Sequence, residues 1–229
     1  LASSGNNGGQ AGAQPVSMET IEQIQVSVAP FDVRQSGFTG GAINAITKSG
    51  TNQFHGSAYY YGYNQDLIGT KYPYLDGTGY APKYQKQTQY NMGVTLGGPI
   101  IKNKLFFFAN YERTNKEYPN LYGVDSGNSK VNTEQAKDIL TMLQKIAEKQ
   151  GVNFNDYYSN QDIYTKSDKA GLKLDWNINE FNKFAIRWSL VKAEQLSGGG
   201  SASSLNSYGY SYPFKSNTNS FIAELQSRF

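Results

Sequence analysis

From residue 54 onward the sequence alternates repeatedly between apolar and polar or small positions, the period of a β-strand whose two faces meet different surroundings. The split is sharp in 90–96, where Tyr90, Met92, Val94 and Leu96 oppose Asn91, Gly93 and Thr95. It recurs in 169–176, with Ala170, Leu172, Leu174 and Trp176 against Lys169, Gly171, Lys173 and Asp175. In 183–190, Phe184, Ile186, Trp188 and Leu190 oppose Lys183, Ala185, Arg187 and Ser189. In 221–229, Phe221, Ala223, Leu225 and Phe229 oppose Ile222, Glu224, Gln226 and Arg228. Two further segments, 54–64 and 105–112, are blurred by aromatics on both faces. Six strands are therefore predicted in this region.

Short and long connections alternate between them. Gly97–Lys104 and Asn177–Asn182 predict tight turns, whereas the stretches near 65–85, 119–162 and 198–216 are long. Transmembrane barrels have short periplasmic turns at one end and longer extracellular loops at the other, and nothing in a soluble sandwich requires that alternation. The longest loop holds one predicted helix over 133–150, with Ala136, Ile139, Leu140, Leu143, Ile146 and Ala147 at three- and four-residue steps. Asn132 or Thr133 can cap its start and Gly151 can end it. Its apolar stripe is expected to dock on its own loop and the barrel rim.

Upstream, residues 1–17 are almost all small or polar and read as loop. Ile21–Val28 reads as a half-buried strand, limited by Pro30. A Gly-punctuated stretch, Ser36–Gly41, leads into a second short strand, Ala42–Thr47, closed by Lys48-Ser49-Gly50-Thr51-Asn52. The composition changes there, which places a domain boundary near residue 52.

Composition decides what the alternation means. The chain of 229 residues is 38% hydrophobic, 14% aromatic and 17% charged, with 18 Tyr, 12 Phe and 24 Gly. That is poor in aliphatics and charge beside ordinary globular domains, and argues against a helical bundle. Its longest apolar run, Leu105–Ala109, is far below the roughly 18 residues of a membrane-spanning helix. Strands can still cross: runs such as Gln87–Leu96 reach the roughly 9–11 residues that a strand needs. Trp176 and Phe184 sit on the apolar faces where two strands meet one short turn, the level of an interfacial girdle. The opposite faces carry Lys169, Lys173, Asp175, Arg187, Glu224 and Arg228, which a wet lumen would hydrate and a dry sandwich core would not. A membrane sheet with open edges would strand backbone groups in hydrocarbon, so the barrel is expected to continue past Phe229. The opening Leu1-Ala2-Ser3-Ser4-Gly5 shows no targeting signal and suits a chain that was trimmed or begins inside a longer protein.

Several stretches resemble TonB-dependent outer-membrane transporters, particularly the Oar-like branch. Met18–Val26 is similar to a late strand of that family's plug, and Gly37–Lys48 to the Gly-rich passage into the final plug strand. Thr51–Ser57 looks like the opening of the first barrel strand, and Leu96–Phe108 like the first periplasmic hairpin. The resemblance implies an all-β fold: residues 1–52 as the end of an N-terminal plug, and 53–229 as the first six strands of an antiparallel transmembrane barrel of about 22 strands. It also implies an integral protein of a Gram-negative outer membrane, energised by TonB with ExbB and ExbD through a box outside these residues. Outer-membrane lipid, an extracellular ligand and a surface lipoprotein are the other partners it suggests. No cofactor and no catalytic chemistry are implied.

The remaining chemistry is thin. His55 is the only His, and with no Cys or positioned Ser and acid beside it no catalytic triad is expected. Gly37-Phe38-Thr39-Gly40-Gly41 lacks the spacing of a phosphate loop and suits tight turns. Asp66, Asp76 and Asp125 lie in long loops without the spacing of a Ca²⁺ site. The net charge of +3, with both signs interspersed, gives no ground for nucleic acid. Tyr59, Tyr61 and Tyr63 at the outer end of the first strand, with Tyr72, Tyr74, Tyr80 and Tyr84 in its loop, are the candidate ligand-binding residues. Rim packing is the competing role. The expected function is receptor-mediated import; a passive or structural outer-membrane barrel and a soluble Tyr-rich β-sandwich adhesin or glycan-binding module are the alternatives.

Overall fold

A computed structural model of the chain describes residues 11–28, 41–67, 86–120, 133–151, 162–197 and 211–228. Two antiparallel sheets account for the strands. The first pairs β1 (Ile21–Val28) with β2 (Gly41–Thr47). The second is a six-stranded meander of β3 (His55–Asn64), β4 (Thr88–Ile101), β5 (Leu105–Pro119), β6 (Asp162–Asn177), β7 (Asn182–Ser197) and β8 (Tyr212–Ser227), each bonded to its neighbours in chain order. Among the described residues the sheet is open, with β3 and β8 at its two edges. One helix, α1 (Thr133–Lys149), lies between β5 and β6.

The strands are longer than the alternation predicts. β5 to β8 have 15 or 16 residues each, extending well past the apolar stretches toward the long connections. The turn expected over Gly97–Lys104 contracts to residues 102–104, with Asn103 at a φ of 65°. Gly97 to Ile101 continue β4 instead, Pro99 standing opposite Phe106 beside a break in register. Proline lacks a donor, and such an irregularity is where a ladder tolerates it. Asn52 clamps this turn: its Nδ2 donates to Asn103 Oδ1 at 2.6 Å, and Asn103 N donates to Asn52 Oδ1 at 2.8 Å.

Helix α1 follows its predicted span and ends at Gly151, whose φ of 69° is the left-handed geometry of a helix C-terminus. Its Ile139, Met142 and Ile146 are exposed. The expectation that β1 is half-buried fails: Ile24 and Val26 are exposed, because among the described residues no second layer lies over them.

The large sheet buries the charged pair Glu112 and Lys169 on one face and presents exposed apolar side chains such as Val94, Leu96, Leu172 and Phe221 on the other. Its outer face presents four successive cross-strand rows. Leu105, Trp176, Phe184 and Leu225 lie nearest the short turns, followed by Phe107, Leu174, Ile186 and Ala223. Leu96, Ala109, Leu172, Trp188 and Phe221 come next, then Val94, Tyr111, Ala170, Leu190 and Asn219. The following row is polar on four strands, with Arg113, Asp168, Lys192 and Asn217. Ion pairs Arg113–Asp168 at 3.8 Å, Lys166–Glu117 at 3.2 Å and Lys215–Glu194 at 3.5 Å continue upward on this side. The apolar margin is not level with the ladder. On β4 it reaches Tyr90, opposite Asn115, whereas on β8 it stops at Phe221, in the row of Ala109.

Candidate functional site

Part of the inner face is covered by the segment that precedes β3. Where that chain passes over the ladder it touches backbone: a Cβ on Gly50 would fall 2.3 Å from the Phe107 carbonyl oxygen and 2.8 Å from that of Gly98. Only glycine permits this approach. Further along the same face, Ala11 and Ala13 pack on Ala193 with Phe214 beside them.

At the centre is one row of four residues in register. Tyr59 on β3 stands opposite Gly93 on β4, Gly93 opposite Glu112 on β5, and Glu112 opposite Lys169 on β6. Because Gly93 has no side chain, the Tyr59 ring lies across β4 and its hydroxyl donates to Glu112 Oε2 at 2.6 Å. Lys169 Nζ donates to the other carboxylate oxygen at 2.6 Å. Ser17, from the covering segment, donates to Oε2 at 2.7 Å and has Tyr59 OH at 3.2 Å. Glu112 is 3% exposed and Lys169 6%, so this ion pair is desolvated, and its stability depends on every lone pair and proton finding a partner. A second bond joins the same layers lower down, with Lys173 Nζ donating to Ser49 Oγ at 2.6 Å.

The candidate residues separate cleanly. Tyr59, Tyr61 and Tyr63 share the inner face: the Tyr61 ring lies 5.4 Å from that of Tyr59, and Tyr63 OH donates to Gln89 at 2.8 Å. Tyr72, Tyr74, Tyr80 and Tyr84 lie outside the described residues. Trp176 and Phe184 stand directly opposite each other on the outer face beside the short turn. His55 is the exposed first residue of β3 and borders a cavity with Glu19 and Glu22. Among the described residues no cluster of three metal-ligating side chains occurs; Asp76 and Asp125 lie outside them. Glu112 and Lys169 are the pair that sequence alone did not single out as a site. Gly93, a lone glycine inside a strand pattern, is the signal that a ring crosses there.

Comparison with known proteins agrees with this architecture. Residues 46–127 match the model of an outer membrane beta barrel domain. Over 100 residues the chain is 38% identical to the TonB-dependent transporter Oar of Myxococcus xanthus, which covers 43% of this chain and 9% of that protein. Over 102 residues it is 31% identical to the probable TonB-dependent siderophore receptor PirA of Acinetobacter baumannii, covering 43% of this chain and 11% of that protein. The chain thus aligns with about a tenth of the length of these relatives. No solved structure matches it.

Proposed function

We propose that this chain, a stretch of Gram-negative outer-membrane β-barrel of the TonB-dependent receptor type, serves import: the barrel takes up an extracellular ligand and passes it inward when TonB acts on the plug. In this reading residues 1–52 are the end of the plug and 53–229 the first six barrel strands. Ser17 and Ser49 then mark where the plug is held to the wall. Tyr61 and Tyr63, with the tyrosines of the following loop, offer flat amphipathic surface to a ligand from the lumen side.

One observation carries the proposal. One face of the sheet carries a band of exposed apolar side chains and the other buries the ion pair Glu112–Lys169 beneath the N-terminal segment, the inverse of what water selects and what lipid outside with a plugged polar lumen inside requires. The segment held to the inner wall through Ser17 and Ser49 favours a plugged barrel over an open passive channel. The relatives' names speak of transport, and one of siderophores, and a scarce nutrient is the ligand class proposed here.

The test is growth on a panel of scarce nutrients, including ferric chelates, peptides and glycans, by strains with and without the full-length receptor. An advantage on one nutrient that disappears equally when the receptor or TonB is deleted is the expected result. An advantage that survives without TonB would sink active import and leave a passive barrel.

A further inference from the structure

Lys173 on β6 and Arg187 on β7 stand directly opposite each other on the inner face. Like charges so placed repel, and a sheet ordinarily avoids them. Lys173 is partly compensated, with Ser49 Oγ at 2.6 Å and Asp175 Oδ1 at 3.5 Å. Arg187 has no hydrogen-bond or ionic partner among the described residues, and its Nε is buried. An unpaired guanidinium nitrogen shielded from water beside a second cation is costly unless something anionic comes to it.

The space for such a group is there. Between the N-terminal segment and β5–β8 lies a cavity of about 200 Å³ whose charged lining consists of Lys48, Lys169, Lys173 and Arg187, with no carboxylate among the described residues. Thr47 Oγ1, also buried without a partner, lines it as well. Two of the four cations are engaged elsewhere, Lys169 by Glu112 at 2.6 Å and Lys48 by Glu19 at 3.7 Å. A second cavity of about 240 Å³ shares Lys173, Arg187 and Ile222 and continues past Asp175 and Glu224 toward the short turns. The two cations therefore stand at a waist in a lane along the inner wall, with positive charge above and mixed charge below.

We propose that Lys173 and Arg187 form an oxyanion-binding site in the seam between the N-terminal segment and the barrel wall, taking the phosphate or carboxylate group of a small solute. The guanidinium supplies a planar two-pronged donor and the ammonium a point charge, the usual division of labour around such groups. The site does not depend on energised import, since it is defined by the resting arrangement of wall and segment.

The experiment is calorimetric titration of the purified full-length receptor in detergent with inorganic phosphate and, separately, with citrate. Saturable binding of either is expected, weakened at least tenfold by Arg187→Gln and by Lys173→Gln, and unchanged by Lys192→Gln, which removes an exposed cation from the outer face of the same strand. Binding of phosphate alone would assign phosphate groups, and binding of citrate alone carboxylates. Phosphate or citrate should also raise the unfolding midpoint of the unsubstituted protein but not of Arg187→Gln, whose ligand-free midpoint should be no lower because repulsion is relieved. A receptor that binds neither anion, or folded variants that both retain the affinity, would overturn the site. Because binding is read on isolated protein, a failure of import leaves this result unaffected.

Discussion

The Tyr59 hydroxyl reaches Glu112 at 2.6 Å from two strands away, over the bare backbone of Gly93. A Cβ at Gly93 would come within 2.5 Å of that hydroxyl and 2.8 Å of the Tyr111 carbonyl oxygen. Replacing Glu112 with Ala leaves Lys169 buried without a counter-charge, and breaking such a pair costs roughly 3–5 kcal/mol. The full-length receptor carrying Glu112→Ala should unfold at markedly lower urea concentration. Glu112→Leu combined with Lys169→Met should recover most of the loss. Tyr59→Phe, which removes only the hydroxyl bond and spares the ion pair, should cost less, about 1–3 kcal/mol. Equal midpoints for Glu112→Ala and the parent would show that the row does not support the wall.

The lipid-facing rows predict a different sensitivity. Leu172 lies in the third apolar row, between Ala109 and Trp188. Arginine at that depth should cost about 2–4 kcal/mol in a bilayer. Lys192→Leu, two rows further from the short turns, should be nearly neutral. Folding into lipid vesicles under urea titration measures both, and indifference to Leu172→Arg would mean that this face does not meet hydrocarbon.

Depth can also be read optically. Trp176 belongs to the row nearest the short turns and Trp188 to the third row. In receptors retaining one of these tryptophans, bromine placed deep in the acyl chain should quench Trp188 more strongly, and a headgroup-level quencher Trp176. The reverse order would place the short turns away from the interface.

Asn103 governs the first short turn. A β-branched side chain at its φ of 65° is strained by roughly 1–2 kcal/mol, so Asn103→Val should destabilise the hairpin while Asn103→Gly loses only the side-chain bond from Asn52 Nδ2 and keeps the one its own backbone N–H donates. Hydrogen exchange at the Lys104 amide, which donates to Ile101 O at 3.0 Å, reports the difference. Equal exchange in the two variants would remove the conformational role.

How much of this was legible depended on whether the two faces of a strand differ. From Ala170 to Trp176 one side meets lipid and the other a charged lumen, and the alternation is plain in the letters. Beyond Ala170, toward the long connection, Asp168, Lys166 and Tyr164 stand outward while Ser167 and Thr165 stand inward. Both faces are polar there, so the alternation vanishes although the ladder continues to Asp162. The turn at Asn103 was obscured for another reason: Gly97-Gly98-Pro99 has turn composition, but Gly97 and Gly98 are needed for close approach by Phe108 and Phe54. The central row was the least legible part. Tyr59 stood out as a tyrosine, but Glu112 and Lys169 meet it only through the registers of three strand pairs, and Ser17 arrives from 95 residues away.

The apolar margin is level across β5 to β7 and slants between its two end strands, and those ends correspond to an angle. Between β4 and β8, four strand spacings of about 4.8 Å each, the margin retreats along the ladder from the row of Asn115 to that of Ala109, six residues at about 3.3 Å. If the membrane surface is level, the strands lean by about 45°, at the steep end of the range for outer-membrane barrels. A row of side chains at right angles to the strands must then climb as it goes round the wall. The backbone positions of Tyr59 and Lys169, whose side chains grip the same carboxylate from either side, would sit about 10 Å apart in depth, given three spacings at that inclination. A vertical pull on Ser17 would thus load the two halves of the row unequally, drawing on one flank before the other.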